Sequence, residues 1–344
     1  MNSNFIFSDS KMREEFLDRF NDLREDFLDR SNVVPISDDE KKELLAYTKD
    51  DADNAMKIVK EGLGDPISRV LEAIIKQFGR PAYLVQNNSF NTANTPPTST
   101  EVNNVVNNAK SIINASIPSV GRINLRRHRS PWIGTGYVVA KNVLVTNRHV
   151  AAKFAVREGD GFVFIRSEKG TAKASLDTVS EYYKSQQQEK LYRLREILWI
   201  APPSEWYDVA FLSIDEKSDD NDKQPPPIEL MDKETFDDIS VKHWITVIGY
   251  PAFSPYNNIE DQQRIFKGIY GVKRMQPGQI TAIRDDGIVN HDATTLGGNS
   301  GSPVLDSISG KAIALHFGGI QGDTNSAVAA PVVLDLLRKH VFQV

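Results

Sequence analysis

The sequence predicts a mainly β protein that begins with a small α-helical bundle. The prediction rests on a change in the spacing of apolar residues along the chain. Before about residue 80 they recur every three or four positions among charged residues, which is typical of amphipathic helices. After about residue 112 the chain shows many short β-rich runs separated by turn residues, a pattern that favours an antiparallel barrel or sandwich.

The first part of the chain carries the signals of three helices. An eleven-residue duplication, FLDR at 16–19 and again at 27–30, spans about three helical turns and keeps both apolar pairs on one face. Polar caps, a proline and glycines mark the later helix ends. The predicted helices cover residues 12–28, then Ser37 or Asp38 to Gly62 or Gly64, then Pro66 to about Gly79.

Length and local composition predict two domains. A chain of 344 residues exceeds what one core usually organises. Residues 87–104 are rich in Asn, Thr, Ser and Pro and almost uncharged, which favours a linker. We therefore predict a helical domain over 1–86, a linker over 87–111 and a β-rich domain over 112–344.

Within the β-rich part, residues 136–146 predict a hairpin with a Lys141-Asn142 turn. Two stretches interrupt the strand pattern. Residues 181–197 are charged, Gln-rich and helical in character, so we expect a surface insertion, and residues 219–238 with three prolines predict a crossover. The remaining elements are strands at 161–166, 208–214, 245–249, 278–284, 287–290 and 311–317, and a closing helix at 332–341.

Composition argues against several kinds of partner. The net charge of −5 implies neither nucleic acid nor an anionic membrane, and the basic run at 122–129 lacks interleaved aromatic residues. The absence of cysteine excludes disulfides and thiolate metal sites, and no metal or nucleotide motif is found, so we expect no metal and no cofactor. Without a signal-peptide pattern or an apolar membrane span, we expect a cytoplasmic protein.

Three short segments carry the residue types of a nucleophilic site. A serine hydroxyl is a weak nucleophile until an imidazole takes its proton, and the imidazole must be held by a carboxylate. His149, Asp208 and Ser300 can fill these roles, and each lies beside a predicted strand or turn. Any one of them alone is more often structural, whereas the ordered set favours catalysis. The segments are TNRHV at 146–150, YDVAFL at 207–212 and GGNSGSPV at 297–304.

With these motifs in this order, residues 112–344 resemble the chymotrypsin-fold, trypsin-like serine proteases, in the bacterial branch that includes the glutamyl endopeptidases. The resemblance implies two antiparallel β-barrels, with His149 and Asp208 from the first, Ser300 from the second, and the substrate cleft between them. It also implies hydrolysis of peptide bonds through a Ser-His-Asp triad and an acyl-enzyme.

The resemblance further implies that the backbone N–H groups of Gly298 and Ser300 bind the oxyanion. Glycine at 298 permits a backbone conformation that side-chain-bearing residues avoid. Asn299 stands where vertebrate trypsin-like enzymes carry an Asp that pairs with a new N-terminus after zymogen cleavage. Because Asn has no charge, that switch is not expected; control by the N-terminal domain and a constitutively formed site both stay open.

The segment ALHFGG at 314–319 follows the serine loop and is therefore expected to be the strand that lines the primary specificity pocket. An extended substrate would pair with it as an added strand, and Gly318 leaves room for the substrate. Glutamyl endopeptidases bind the substrate carboxylate with a His in the matching segment and a Thr before the serine loop. His316 and Thr295 resemble that pair, which implies a preference for Glu. The alternative, that His316 only packs in its strand, stays open.

These observations predict a bacterial serine endopeptidase acting on protein or peptide substrates. We expect its N-terminal helices to recruit or restrain it, with a regulatory protein partner; proteases of bacterial antiviral defence systems share this layout, as an analogy of architecture only. The competing hypothesis is a protease-like binding or scaffold protein whose triad is inactive or secondary.

Overall fold

The computed structural model describes residues 80–92, 100–181, 189–253, 259–319 and 325–343. The predicted N-terminal helices lie outside the described residues, so the division into domains stays a prediction. The strands of the described residues are β1 Tyr83–Gln86, β2 Ser89–Asn91, β3 Val120–Arg126, β4 Trp132–Ala140, β5 Val143–Thr146, β6 Ala155–Glu158, β7 Gly161–Phe164, β8 Arg166–Ser167, β9 Gly170–Thr171, β10 Lys173–Asp177, β11 Leu191–Ile200, β12 Ala210–Ile214, β13 Trp244–Gly249, β14 Arg274–Ile283, β15 Ile288–His291, β16 Pro303–Asp306, β17 Ala312–Gly319 and β18 Asn325–Ala329.

In the part of the chain that the structure describes, helices are fewer than strands. None of these helices is long and apolar enough to cross a membrane. The α-helices are α1 Thr100–Ser116, α2 Arg148–Ala151, α3 Lys233–Asp237, α4 Ile259–Phe266 and α5 Ala330–Leu337, with a 3-10 turn at Ile117–Ser119 after α1 and a π-helical turn at Arg338–Phe342 after α5.

The first barrel is a closed antiparallel ring in the order β10-β11-β12-β5-β4-β3. Its β4 and β5 are the predicted hairpin, joined with Tyr137 opposite Val145. The interior is filled by branched aliphatic side chains, because inward positions alternate with outward ones along each strand. Buried members of this core include Ile123, Val138, Leu144, Leu176 and Leu212.

The second barrel is the ring β13-β16-β17-β18-β15-β14, closed by pairing of β13 with β14. Its core includes Val247, Met275, Val304, Ile313 and Val328. The prediction of a mainly β fold with two antiparallel barrels of chymotrypsin type is therefore confirmed. The predicted crossover leads from β12 in the first barrel to β13 in the second, and the predicted closing helix is α5.

The linker predicted over residues 87–111 differs from the structure. Part of it forms β2, and residues 100–111 belong to α1, a helix of 17 residues. Val102, Val106 and Ile113 of this helix are buried in the core cluster of the second barrel. Composition was misleading because the polar Asn and Ser residues occupy the outer face, while the apolar residues keep the spacing of one helix face.

The helical insertion predicted over residues 181–197 also differs from the structure where it is described. Residues 191–200 form β11, a barrel strand. Its register with β12 shifts twice, between Leu194 and Glu196 and between Ile197 and Trp199. Each β-bulge adds one residue to the strand, so the buried residues are spaced by three instead of two. This spacing imitates the period of a helix.

The hairpin of β1 and β2 extends the second barrel beyond its ring. β1 pairs with β14 through Tyr83 opposite Met275 and Leu84 opposite Arg274. On that side of β14, pairing with β15 begins only at Ile280. The hairpin therefore covers the edge that β14 would otherwise present at residues 274 and 275.

Candidate active site

His149 lies in a one-turn helix, α2, directly after strand β5 of the first barrel. Asn147 begins this helix with an extended backbone, φ −79° and ψ 152°. Its side-chain Nδ2 donates to the backbone carbonyl of Asp208 at 2.9 Å. The Arg148 guanidinium donates to two backbone carbonyls within residues 202–205, at 2.7 and 3.0 Å. These bonds tie the helix to the segment that carries Asp208.

His149 and Asp208 meet through two contacts. His149 Nδ1 lies 2.5 Å from Asp208 Oδ2, and the backbone N–H of His149 donates to Oδ1 at 3.0 Å. Both side chains are 4% exposed, so the pair is shielded from water. An ionised carboxylate only accepts hydrogen bonds, which makes Nδ1 the protonated nitrogen of the ring. Nε2 is then the nitrogen that can accept a proton.

The loop that carries Ser300 is held against strand β4 of the first barrel. The backbone N–H of Thr135 donates to the Ser300 carbonyl at 2.9 Å. A Cβ atom added at Gly134 would lie 3.0 Å from the Val150 side chain and 3.2 Å from the Ser300 carbonyl oxygen. Since Val150 follows His149, the histidine helix and the serine loop both lie against strand β4 at this one glycine.

The four residues before Ser300 form a tight turn. The Asn299 N–H donates to the Leu296 carbonyl at 3.1 Å, and Gly298 has φ +92° at the third position, which defines a type II turn. The carbonyl of Gly297 accepts from the Ala252 N–H at 2.5 Å. In a trans peptide the next N–H points the opposite way. The Gly298 N–H is therefore directed away from Ala252.

The segment that carries these residues matches a known protein family. The family model described as a trypsin-like peptidase domain matches residues 134–315, which is more than half of the chain and includes His149, Asp208 and Ser300. The chain belongs to the trypsin-like peptidases. It is a serine endopeptidase, and its substrates are proteins or peptides.

Several individual proteins are similar to this trypsin-like peptidase. A probable serine protease from Lysobacter enzymogenes is 27% identical over 287 residues, which cover 75% of this chain and 72% of the relative. The Rv3671c protease of M. tuberculosis in its inactive form is 19% identical, with 69% of this chain and 95% of that chain covered and a TM-score of 0.40. The HtrA-type protease AlgW with a decapeptide is 16% identical, with 67% and 66% covered and a TM-score of 0.43.

In this trypsin-like peptidase the predicted pocket residues converge on two residues that the sequence analysis did not select. The Thr295 hydroxyl donates to Asn325 Oδ1 at 2.8 Å. His316 Nδ1 lies 3.2 Å from Nε2 of His291. Gly318 pairs with β18 one residue from Asn325. Thr295, His316 and Gly318 therefore belong to one buried wall made of β15, β17 and β18.

The hydrogen bonds of His291 fix the proton positions of both imidazoles. The Ala293 N–H donates to His291 Nδ1 at 3.3 Å, so this nitrogen is an acceptor. Burial lowers the pKa of His291 from 6.5 to about 3, and the ring is neutral at neutral pH. Its hydrogen then lies on Nε2 and is donated to His316 Nδ1. The remaining hydrogen of His316 is on Nε2, which makes that atom a donor.

Strand β17 joins the serine loop to this wall. The N–H of His316 donates to the Ser302 carbonyl, and the Gly301 N–H donates to the His316 carbonyl, both at 2.9 Å. Past His316, among the described residues, β17 pairs with β18 alone. The edge of residues 317–319 nearest the serine loop can thus receive an extended peptide.

His291 carries little signal in the sequence. It follows the strand predicted at 287–290, but only Ile288 and Val289 are apolar there, so the pattern does not indicate which way His291 faces. Asn325 gives no signal at all, because its role depends on pairing with distant strands. Within the described ranges, no group of three or more His, Asp or Glu side chains is arranged to hold a metal ion.

Proposed function

We propose that Ser300 is the nucleophile of this serine endopeptidase, with His149 as its base and Asp208 as the residue that orients His149. The proposal is carried by the buried double contact between His149 and Asp208. That contact leaves His149 Nε2 as the basic nitrogen on the helix that meets the Ser300 loop. All three side chains are buried.

In the first step Ser300 Oγ attacks the carbonyl carbon of the scissile peptide, and its proton passes to His149 Nε2. Asp208 stabilises the imidazolium, which then gives the proton to the leaving amine as the peptide bond breaks. A water molecule repeats the sequence on the acyl-enzyme: His149 takes its proton, and Ser300 is released with the proton returned to its oxygen. Each step conserves the proton, so no cofactor is required.

The oxyanion of each tetrahedral intermediate is assigned to the N–H groups of Gly298 and Ser300. The type II turn supports this assignment, because it holds the Gly297 carbonyl on Ala252 and turns the Gly298 N–H the other way. On the far side of Gly298 its own carbonyl accepts from the Thr135 hydroxyl at 2.7 Å. Donors fixed before reaction stabilise developing charge without a cost of reorganisation, and one is typically worth about 10² to 10³ in rate.

We assign to this pocket a preference for Glu before the cleaved bond. A buried carboxylate needs hydrogen-bond donors. The Nε2–H of His316 supplies one, since the neighbouring His291 directs the hydrogen to that atom. The hydroxyl of Thr295 donates to Asn325, so we assign Thr295 to holding the pocket wall. The glutamyl endopeptidase resemblance points the same way.

Replacement of Ser300 tests the nucleophile, with Ser302 as a matched control in the same loop. Ser302 is buried, and its hydroxyl has no hydrogen-bond partner among the described residues. Ser300→Ala should abolish labelling by a fluorophosphonate and lower peptide hydrolysis by more than about 10³-fold, while Ser302→Ala should retain both. Full activity in purified Ser300→Ala contradicts the assignment. A folded wild type that neither labels nor cleaves peptides supports the scaffold alternative.

A panel of peptides that differ only in the residue before the cleaved bond tests the pocket. Glu should exceed its neutral isostere Gln by at least about tenfold in kcat/KM, because Gln cannot offer a charged acceptor to His316. Equal cleavage after Glu, Leu and Lys contradicts the acidic preference and leaves the nucleophile assignment intact. A cytoplasmic location, control by residues 1–86 through a protein partner, and a part in bacterial defence stay predictions.

A further inference from the structure

Two amide side chains, those of Gln276 and Asn299, lie against each other behind the turn that precedes Ser300. Both residues are completely buried. Gln276 Nε2 donates to Asn299 Oδ1 at 2.9 Å, and Asn299 Nδ2 lies 3.5 Å from Gln276 Oε1. Gln276 belongs to β14 of the second barrel, and neither residue has an ionisable partner in this contact. The amide of Asn299 is therefore oriented by a neutral group.

The orientation of this amide decides how the turn is closed. With Oδ1 on Gln276, Asn299 Nδ2 donates to the Leu296 carbonyl at 3.0 Å. The backbone N–H of Asn299 donates to the same carbonyl at 3.1 Å. The turn containing Gly298 is thus closed by a backbone bond and by a side-chain bond. Loss of the Gln276 contact would leave a buried amide oxygen unsatisfied, which drives the side chain to rotate.

The surroundings leave space for the amide in this position. A Cβ atom added at Gly249 would lie 2.4 Å from Asn299 Oδ1 and 2.1 Å from Ser302 Oγ. Glycine at 249 is therefore what lets the Asn299 side chain lie against strand β13. The amide is enclosed by the β13 backbone on one side and by Gln276 on another.

Gln276 lies in β14, which pairs with β13 on one side and with β1 on the other. Gln276 pairs with Val247 of β13, and its neighbour Met275 pairs with Tyr83 of β1. The Arg274 guanidinium also donates to the carbonyl of Ala82 at 2.5 Å. The hairpin upstream of the family-matched region thus pairs with β14 up to Met275, the residue before Gln276.

We propose that Gln276 is a positioning residue for the oxyanion hole, which acts through Asn299 on the turn that carries Gly298. The inference rests on the proposed assignment of Gly298 and Ser300 as oxyanion donors. The contact that orients Asn299 is a neutral amide pair. An amide pair does not titrate and needs no new N-terminus, so the turn can be set as soon as the barrel folds.

Gln276→Met in the full chain tests this role, because Met has a similar length and lacks both hydrogen-bonding groups. We expect kcat on the best peptide of the panel to fall about 10- to 100-fold with KM within twofold, since a small displacement of a catalytic donor has effects of this size. The aldehyde analogue of that peptide forms an oxyanion when it adds to Ser300, so it should bind more weakly by a similar factor. The alcohol analogue forms no oxyanion, so its affinity should stay unchanged.

Thr246→Val is the matched control, since it removes a buried side-chain hydrogen bond from neighbouring β13 that lies apart from the turn. It should lower the melting temperature and keep kcat. Gln276→Asn, which retracts the amide by one methylene, is the second variant and should reduce kcat even if Gln276→Met fails to fold. A folded Gln276 variant with wild-type kcat, or one that weakens aldehyde and alcohol equally, overturns the inference. Full activity in Ser300→Ala would instead overturn the site assignment beneath it.

Discussion

The two barrels hold their parts of the site by different means. The first barrel holds His149 through direct contact with the ionisable carboxylate of Asp208. The second holds the serine loop and the pocket through backbone bonds and neutral side chains, with Gln276 on Asn299 and His291 on His316. Proton transfer requires a group whose charge is stabilised as it forms, whereas oxyanion and substrate recognition require donors that stay in place.

Strand β4 connects these two halves at Thr135. The Thr135 N–H donates to the Ser300 carbonyl, and its hydroxyl donates to the Gly298 carbonyl. The Thr146 hydroxyl, at the end of the strand before His149, donates to the Thr135 carbonyl at 2.7 Å. One residue of the first barrel is therefore bonded both to the strand that leads to His149 and to the loop of Gly298 and Ser300. We therefore expect substitutions in the charged His149–Asp208 pair and substitutions among the neutral side chains of the second barrel to change kcat and KM differently.

The largest expected loss of activity comes from a change in the charged pair of the first barrel, His149 and Asp208. Asp208→Asn keeps the shape of the side chain but places an N–H₂ group where His149 needs an acceptor, so the ring adopts the wrong tautomer. We expect kcat to fall about 10³- to 10⁴-fold for every peptide in the panel, without a change in their ranking. Steady-state kinetics on the panel measures this loss.

Asp215→Asn serves as the control for that change. Asp215 follows β12 of the same barrel, and its pair with Arg195 lies at the surface. Because exposed ion pairs contribute little, this variant should keep wild-type kinetics. A loss below tenfold in Asp208→Asn would show that Asp208 does not set the tautomer of His149.

A smaller loss of activity, confined to one class of substrate, is expected from a change among the neutral side chains of the second barrel. His316→Phe keeps a ring in the pocket and removes the Nε2–H donor. We expect the ratio of kcat/KM for Glu over Leu to fall about 100-fold, mostly through slower cleavage after Glu, since a lost hydrogen bond to a charged group has this magnitude. His243→Phe makes the same replacement in the second barrel, at a His paired with Asp306, and should preserve the ratio. A uniform loss for all peptides would assign His316 to packing.

The same division separates what the sequence predicts from what it does not. His149, Asp208 and Ser300 each lie beside their own strand, so short local motifs single them out as candidates. Gln276, His291 and Asn325 make their contacts only where distant strands meet, and each looks like an ordinary polar strand residue in isolation. The bulges of β11 and the Asn-rich outer face of α1 concealed two elements by disturbing local pattern and composition. The many short strands and their turns, in contrast, predicted an antiparallel barrel or sandwich, and the family resemblance narrowed this to two barrels.

The smallest expected effect concerns the neutrality of His291. Burial lowers its pKa to about 3, below the 6.5 of an unfolded histidine, so protonation favours the unfolded chain. Its contribution to stability is complete above about pH 6.5 and is lost progressively as the pH falls towards 3. Between pH 7 and pH 5 this one group should lower the free energy of unfolding by about 2 kcal/mol, which denaturant titrations at the two pH values measure.

His291→Gln isolates this contribution. The Gln oxygen can accept from the Ala293 N–H and its amide can donate to His316 Nδ1, so both hydrogen bonds of His291 have a replacement that does not titrate. The variant should lose less stability than the wild type on acidification, while its preference for Glu is retained. His128→Gln in the first barrel, where the ring contacts the carbonyls of Ser130 and Lys153, controls for a general effect of removing a histidine. An identical acid dependence in His291→Gln and the wild type would mean that His291 is not held neutral, and the second barrel would then share the reliance on charge that distinguishes the first.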